Sequence, residues 1–181
     1  MDPFLKKKWE HVFKVFFDTD KSQLIDWDDF KLLMQKIKER RGEDSEDYRM
    51  AQNSLQIMWD GLASQADKNG DNKVSMDEWL GMWSAAPKEH LPWQKAYLQF
   101  MFKLLDATSD NMIERSEYID VMMCYGVSAE EASQSFDRFA VDRKGNPIKM
   151  LDFDRFQALW NEFFYSNDPK APGNSLFGKI I

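Results

Sequence analysis

Apolar residues recur along this chain at helical spacing in eight stretches, arranged as pairs around short polar runs. Counted from the first residue of each 12-residue run, apolar side chains return at places 13, 16, 17 and 20. The first run gives Phe30, Leu33, Met34 and Ile37, the second Trp79, Met82, Trp83 and Ala86, and the third Tyr118, Val121, Met122 and Tyr125. Phe156, Leu159, Trp160 and Phe163 fall in the same register if a fourth run begins at Lys144. A second apolar face leads into each run: Trp9, Phe13, Phe16 and Phe17; Leu55, Met58, Trp59 and Leu62; Tyr97, Met101, Phe102 and Leu105; and Phe136 with Phe139. Ser128 followed three residues later by Glu131 reads as a capping box opening the last of these leading helices. The repeat predicts an all-α chain of four helix-loop-helix units and about eight helices.

The runs begin 49, 39 and 38 residues apart, and the extra length in the first interval is the charged stretch Glu39 to Asp47. Pro87 to Pro92 is a short connector. These punctuation points divide the chain into an N-terminal pair of units over 1–86, a C-terminal pair over 93–165 and a tail over 166–181. The tail carries Pro169, Pro172, Gly173 and Gly178 and is therefore irregular, yet Leu176, Phe177, Ile180 and Ile181 require burial.

The polar side of the repeat has a chemistry of its own. A 12-residue loop of the EF-hand type surrounds calcium, a hard cation taking six to eight oxygens, with ligands from places 1, 3, 5, 7 (a backbone carbonyl), 9 and 12. The run Asp18 to Asp29 offers Asp18, Asp20, Ser22, the carbonyl of Leu24, Asp26 and Asp29. The run Asp67 to Glu78 offers Asp67, Asn69, Asp71, the carbonyl of Lys73, Ser75 and Glu78. The run Asp106 to Glu117 offers Asp106, Thr108, Asp110, the carbonyl of Met112, Glu114 and Glu117. Place 8 is β-branched in all three (Ile25, Val74, Ile113), which predicts a short strand pairing neighbouring loops, with Leu151 at that place in the fourth. The fourth run has Lys144 at place 1, Ile148 at place 5 and Arg155 at place 12, and is expected to be silent.

Two departures bear on the first loop. Place 6 usually carries Gly for a turn with positive φ, and here it is Gln23, Asn72 and Asn111. Asn tolerates that region, whereas Gln costs about 1 kcal/mol. Asp29 at place 12 is shorter than the usual Glu, which favours lower coordination and magnesium.

The chain has 181 residues and a formal charge of −7. Such a charge argues against nucleic-acid binding and for cation binding; three calcium ions would take it to −1, since −7 plus three times +2 is −1. Cys124 is the single cysteine, so no internal disulfide forms, and the opening Met1 to Lys8 lacks a signal-peptide apolar stretch. A cytoplasmic monomer is the expectation.

The strings Ile25-Asp26-Trp27-Asp28-Asp29-Phe30, Ile57-Met58-Trp59-Asp60-Gly61-Leu62 and Glu78-Trp79-Leu80-Gly81-Met82-Trp83, with the ending Ser166-Asn167-Asp168 through Leu176-Phe177-Gly178, resemble the calexcitin and sarcoplasmic calcium-binding protein family of invertebrates. The likeness covers nearly the whole chain. It implies two EF-hand pairs in a compact body, working sites in loops one to three, a silent fourth loop, and calcium buffering or signalling in excitable cells.

Met34, Met58, Met82, Met101, Met122 and Met123 lie on helical faces and suit either an adaptable groove of a calcium sensor or ordinary core; seven Trp and fourteen Phe favour core. Lys6, Lys7 and Lys8 beside Phe4, Leu5 and Trp9 form a short basic patch that suits an anionic membrane or, better, a solvated helix face. His11 and His90 have no spacing suited to zinc or to a nucleophile-base pair, no phosphate-binding glycine loop is present, and an enzyme is not expected. A luciferin-binding or photoprotein-like relative is a third reading, thinly supported by two histidines.

Overall fold

The computed structural model describes residues 1–85 and 91–180; Ala86, Pro87, His90 and Ile181, named above, lie outside the described residues. Among the described residues there are eight α-helices and four two-residue strands. The helices are α1 (Pro3–Val12), α2 (Trp27–Arg41), α3 (Glu46–Ala66), α4 (Met76–Ala85), α5 (Pro92–Leu105), α6 (Arg115–Cys124), α7 (Ala129–Phe139) and α8 (Phe153–Tyr165). A π-turn, Phe13–Phe17, extends α1, and a short 3₁₀ turn, Pro172–Ser175, lies in the tail. The strands are β1 (Leu24–Ile25), β2 (Val74–Ser75), β3 (Ile113–Glu114) and β4 (Met150–Leu151). They pair antiparallel as β1–β2 and β3–β4, with Ile25 opposite Val74 and Ile113 opposite Leu151. The place-8 residues therefore meet in both pairs, as the β-branched pattern predicts. No helix is long and apolar enough to cross a membrane among the described residues.

The chain forms two units. One is Trp9–Phe100; the other is Met1–Lys8 together with Met101–Ile181. The division departs from chain order at its edges, since residues 1–8 group with the second pair of loops.

In the first unit the apolar faces of both helix pairs converge on a cluster of rings. Trp9 stacks on Trp83 with centroids 5.9 Å apart, and Trp79 meets Phe17 at 5.0 Å and Trp93 at 6.3 Å. The buried Trp79 indole donates to the Trp9 carbonyl at 3.0 Å, so its one polar atom is satisfied. Gly61 lies against Trp93, and a Cβ there would collide with the Trp93 side chain. The sequence reading of Leu55, Met58, Leu62, Phe30, Leu33 and Ile37 as core is matched by their burial. Ser45 caps α3 by accepting from the Tyr48 N–H, which ends the charged connector.

In the second unit Tyr118 packs on Phe136 and Phe139, and Phe102 on Phe153 and Phe156. The tail is part of this core. Phe177 meets Trp160, Phe163 and Phe164 at 4.8–5.6 Å, and the Tyr118 hydroxyl donates to the Leu176 carbonyl at 2.9 Å. Ser128 caps α7 through the Glu131 N–H, but the Glu131 carboxylate does not complete the box. It accepts from the Lys179 N–H at 3.0 Å and so fastens the tail.

Lys8 departs from the expectation of a solvated face. Lys6 and Lys7 are exposed, whereas Lys8 is fully buried. Its ammonium donates to the Glu162 carbonyl at 3.0 Å, the Ser166 carbonyl at 2.6 Å and Asn174 Oδ1 at 3.1 Å, which matches three donors with three acceptors. The Phe4 and Phe163 rings lie 5.1 and 5.5 Å from it. Of the six helical methionines, Met58, Met82, Met101 and Met122 are buried, Met34 is half-buried and Met123 is exposed.

Candidate metal centre

Each of the first three loops begins where its leading helix ends: Asp18 follows the π-turn, Asp67 caps α3 and Asp106 follows α5. The loop then turns back on itself through its own amides. The place-6 N–H donates to the place-1 carboxylate in all three: Gln23 to Asp18 at 3.1 Å, Asn72 to Asp67 at 2.9 Å and Asn111 to Asp106 at 3.0 Å. The place-7 N–H donates to the place-5 side chain, from Leu24 to Ser22, Lys73 to Asp71 and Met112 to Asp110. At place 3, Asp20 accepts from Ser22 N–H and Asn69 from Asp71 N–H, each at 2.9 Å.

This curling demands left-handed backbone. Gln23 (φ 70), Asn72 (φ 61) and Asn111 (φ 66) hold place 6 there, as the sequence led us to expect. Place 4 adopts it too, at Lys21 (φ 63), Gly70 (φ 74) and Ser109 (φ 58). Loop 1 thus holds two long side chains at positive φ, at a cost of about 1–2 kcal/mol each.

The place-12 carboxylate ties the two ends of each loop together. Glu78 accepts from Lys68 N–H with one oxygen and from Ser75 N–H with the other; Glu117 does the same with Thr108 and Glu114. Asp29, though shorter, also spans its loop: Oδ1 accepts from Thr19 and Asp20, and Oδ2 from Asp26 at 2.9 Å. The backbone bonds from Ser75, with the Ser75 hydroxyl, hold the Glu78 carboxyl below its ordinary range. Burial pushes the Asp29 carboxyl up to about 6 against those same kinds of bond, and burial also raises Asp18.

Loop 1 fits a cation. Oxygens of Asp18, Asp20 and Asp29 lie within 4.8 Å of one another. Asp18 Oδ1 is buried without a hydrogen-bond donor, an anionic oxygen that needs a partner. In loops 2 and 3 the matching oxygen is held by an amide, Gly70 N–H on Asp67 Oδ1 and Asp110 N–H on Asp106 Oδ1. The hard oxygens at places 1, 3, 5 and 12 are those that calcium or magnesium takes.

The fourth segment is built differently. Since α7 ends at Phe139 and Leu151 pairs with Ile113, four more residues separate helix from strand than a run starting at Lys144 provides. They fold into a small hairpin, with Val141 bridged to Pro147 and Asp142 accepting from the N–H groups of Lys144 and Asn146. A 12-residue run from Lys144 therefore does not describe this segment, and Ala140 stands after α7 where loops 1 to 3 carry Asp18, Asp67 and Asp106. Arg155 stands in the third position of α8, where loops 1 to 3 place a carboxylate. Its Nε donates to the Val141 carbonyl at 2.7 Å. The tie between loop ends survives with donor and acceptor exchanged, and a guanidinium stands where a cation would need an anion.

Helix-loop-helix units whose oxygens turn inward, joined in twos by a two-residue ladder, define an EF-hand protein. Residues 64–83 match the family model described as EF hand. The chain is 38% identical to Calexcitin-1 of Caenorhabditis elegans over 99% of its own length and 89% of that protein's. It is 28% identical to sarcoplasmic calcium-binding proteins I, III and IV of Branchiostoma lanceolatum over 99% and 98% of the two chains. The chain belongs to the calexcitin and sarcoplasmic calcium-binding protein family. Its fold matches a sarcoplasmic calcium-binding protein from amphioxus with a TM-score of 0.78 and 25% identity over 99% of both chains. A match to aequorin, TM-score 0.69 at 16% identity over 97% of this chain and 92% of that one, shows likeness of fold alone.

Proposed function

We propose that this protein binds three calcium ions, in the loops Asp18–Asp29, Asp67–Glu78 and Asp106–Glu117, and serves as a cytoplasmic calcium buffer or calcium signalling protein of excitable cells. The observation that carries the reading is the place-12 carboxylate. It bridges both ends of loops 1 to 3, and Arg155 replaces it in the fourth segment, which is silent. Asp29 in place of Glu gives loop 1 the smaller coordination number that also admits magnesium. Burial of Met58, Met82, Met101 and Met122 favours the buffer over a sensor that bares an adaptable groove to a target or a membrane. No group in this reading acts as a catalyst.

The test is an equilibrium calcium titration in millimolar magnesium, run with an apolar-surface dye. Three ions bind with little added dye in the parent, and Asp29→Asn, Glu78→Gln and Glu117→Gln each remove one. A stoichiometry that none of these variants lowers would sink the site reading; a steep rise in dye binding on calcium loading would make the protein a sensor.

A further inference from the structure

Lys73 holds place 7 of loop 2, where its carbonyl is a candidate ligand, yet its side chain serves the neighbouring loop. Its Nζ donates to Asp26 Oδ2 at 2.7 Å, and Asp26 is the place-9 candidate of loop 1. The other oxygen, Asp26 Oδ1, accepts from Asp28 N–H at 2.9 Å as the cap of α2. Both oxygens of a candidate ligand are thus engaged, one of them by a cation from the partner loop. The β1–β2 ladder sets this up, because pairing Ile25 with Val74 puts residues 26 and 73 on the next rung. The ammonium also feels the charges of Asp71 and Asp28, and its own charge acts on Asp20. The equivalent rung of the other ladder pairs Glu114 with Met150, whose thioether carries no charge.

We propose that Lys73 sets the affinity of the first metal site: its ammonium is a tethered monovalent cation that competes with the incoming divalent ion for the Asp26 carboxylate and so links loop 2 to the filling of loop 1. The inference rests on loop 1 being a metal site. Removing the ammonium frees Asp26 and removes a like charge beside the ion, and both effects tighten binding. With the two side chains 45% and 20% exposed, the gain is about two- to fivefold in affinity, the range of half-exposed ion pairs.

The experiment is a calcium titration of the full chain followed by the amide NMR signals of Gln23, Asn72 and Asn111, each of which donates to the place-1 carboxylate of its own loop. Lys73→Met, which copies the Met150 rung, lowers the Gln23 midpoint two- to fivefold and leaves the Asn111 midpoint unchanged. Lys73→Arg keeps the parent midpoint. The difference between parent and Lys73→Met shrinks in 0.5 M KCl, where charges are screened within about 4–5 Å, and it shrinks in an Asp26→Asn background. A Gln23 midpoint that stays put or moves to higher calcium in Lys73→Met, or an equal effect without Asp26, overturns the proposal. Asp18→Asn separates the two levels. If the Gln23 signal then still follows calcium as in the parent, the reading of loop 1 as a site fails; if it no longer responds, while Lys73→Met has no effect, only the role of Lys73 falls.

Discussion

Lys8→Met removes a buried ammonium while keeping most of its apolar stem, and its consequence is worked from three bonds. Glu162 and Ser166 carbonyls and Asn174 Oδ1 accept from Nζ at 2.6–3.1 Å. Bonds to a charged group contribute about 1.5–3 kcal/mol each, and burying the ammonium costs several kcal/mol in return. What decides the balance is the acceptors left behind. The Glu162 carbonyl retains the Ser166 N–H at 3.1 Å, but the Ser166 carbonyl and Asn174 Oδ1 lose this donor. Each orphaned acceptor costs about 1–3 kcal/mol, about 2–6 kcal/mol for the two, and relief of the buried charge offsets part of this, so the variant is less stable by about 2–4 kcal/mol. Urea unfolding of the calcium-saturated protein measures this, and proteolysis of the tail beyond Ser166 accelerates in step. The pH dependence has a definite sign. Burial lowers the Lys8 amine from 10.5 to about 8, so between those values the unfolded chain holds a proton that the folded chain has released. The contribution of this group to stability is therefore lowest below pH 8 and rises from there towards pH 10.5. Lys8→Met lacks that slope. A variant as stable as the parent at pH 7, or one with the same slope, would refute this account.

Phe177, Gln23 and Asp29 each carry a further expected outcome. Phe177→Ala, emptying a site among Trp160, Phe163 and Phe164, destabilises the protein by about 3–5 kcal/mol in the same unfolding assay, and a change below 1 kcal/mol would mean the tail is not core. Gln23→Gly relieves about 1–2 kcal/mol of left-handed strain and gives back about 0.5–1 kcal/mol in chain entropy, so thermal unfolding shifts upward by a few degrees rather than down. With the Asp29 carboxyl raised to about 6 by burial, the metal-free fold keeps a proton between roughly pH 4 and 6 that the unfolded chain has lost; stability of the metal-free state falls as pH rises through that window. Calcium must expel the same proton, so the loop 1 midpoint moves to higher calcium below pH 6. Loop 2, whose Glu78 is held low, does not move in step, and parallel movement of both would contradict the assignment.

Much of this protein is fixed locally. The 3.6-residue recurrence of Phe30, Leu33 and Ile37 and of its counterparts specifies the helices and their buried faces, because a helix places those positions on one side whatever surrounds it. Oxygen-bearing side chains at places 1, 3, 5 and 12, acidic in all three loops only at places 1 and 12, are legible for the same reason, since the bonds that curl each loop join residues no more than about ten apart. The residues at place 8 announce the ladder that pairs the loops. Tertiary structure alone decided the rest. Lys8 lies 154 residues from Glu162, so nothing in the run Lys6-Lys7-Lys8 marks its third member as a buried clamp. The length of the fourth segment depends on where α7 stops against its neighbours, and the reach of Asp29 on how tightly its loop closes. Lys73 meets Asp26 only because antiparallel pairing brings residues 47 apart onto one rung. Local periodicity records which way a residue faces, and only folding determines what it finds there.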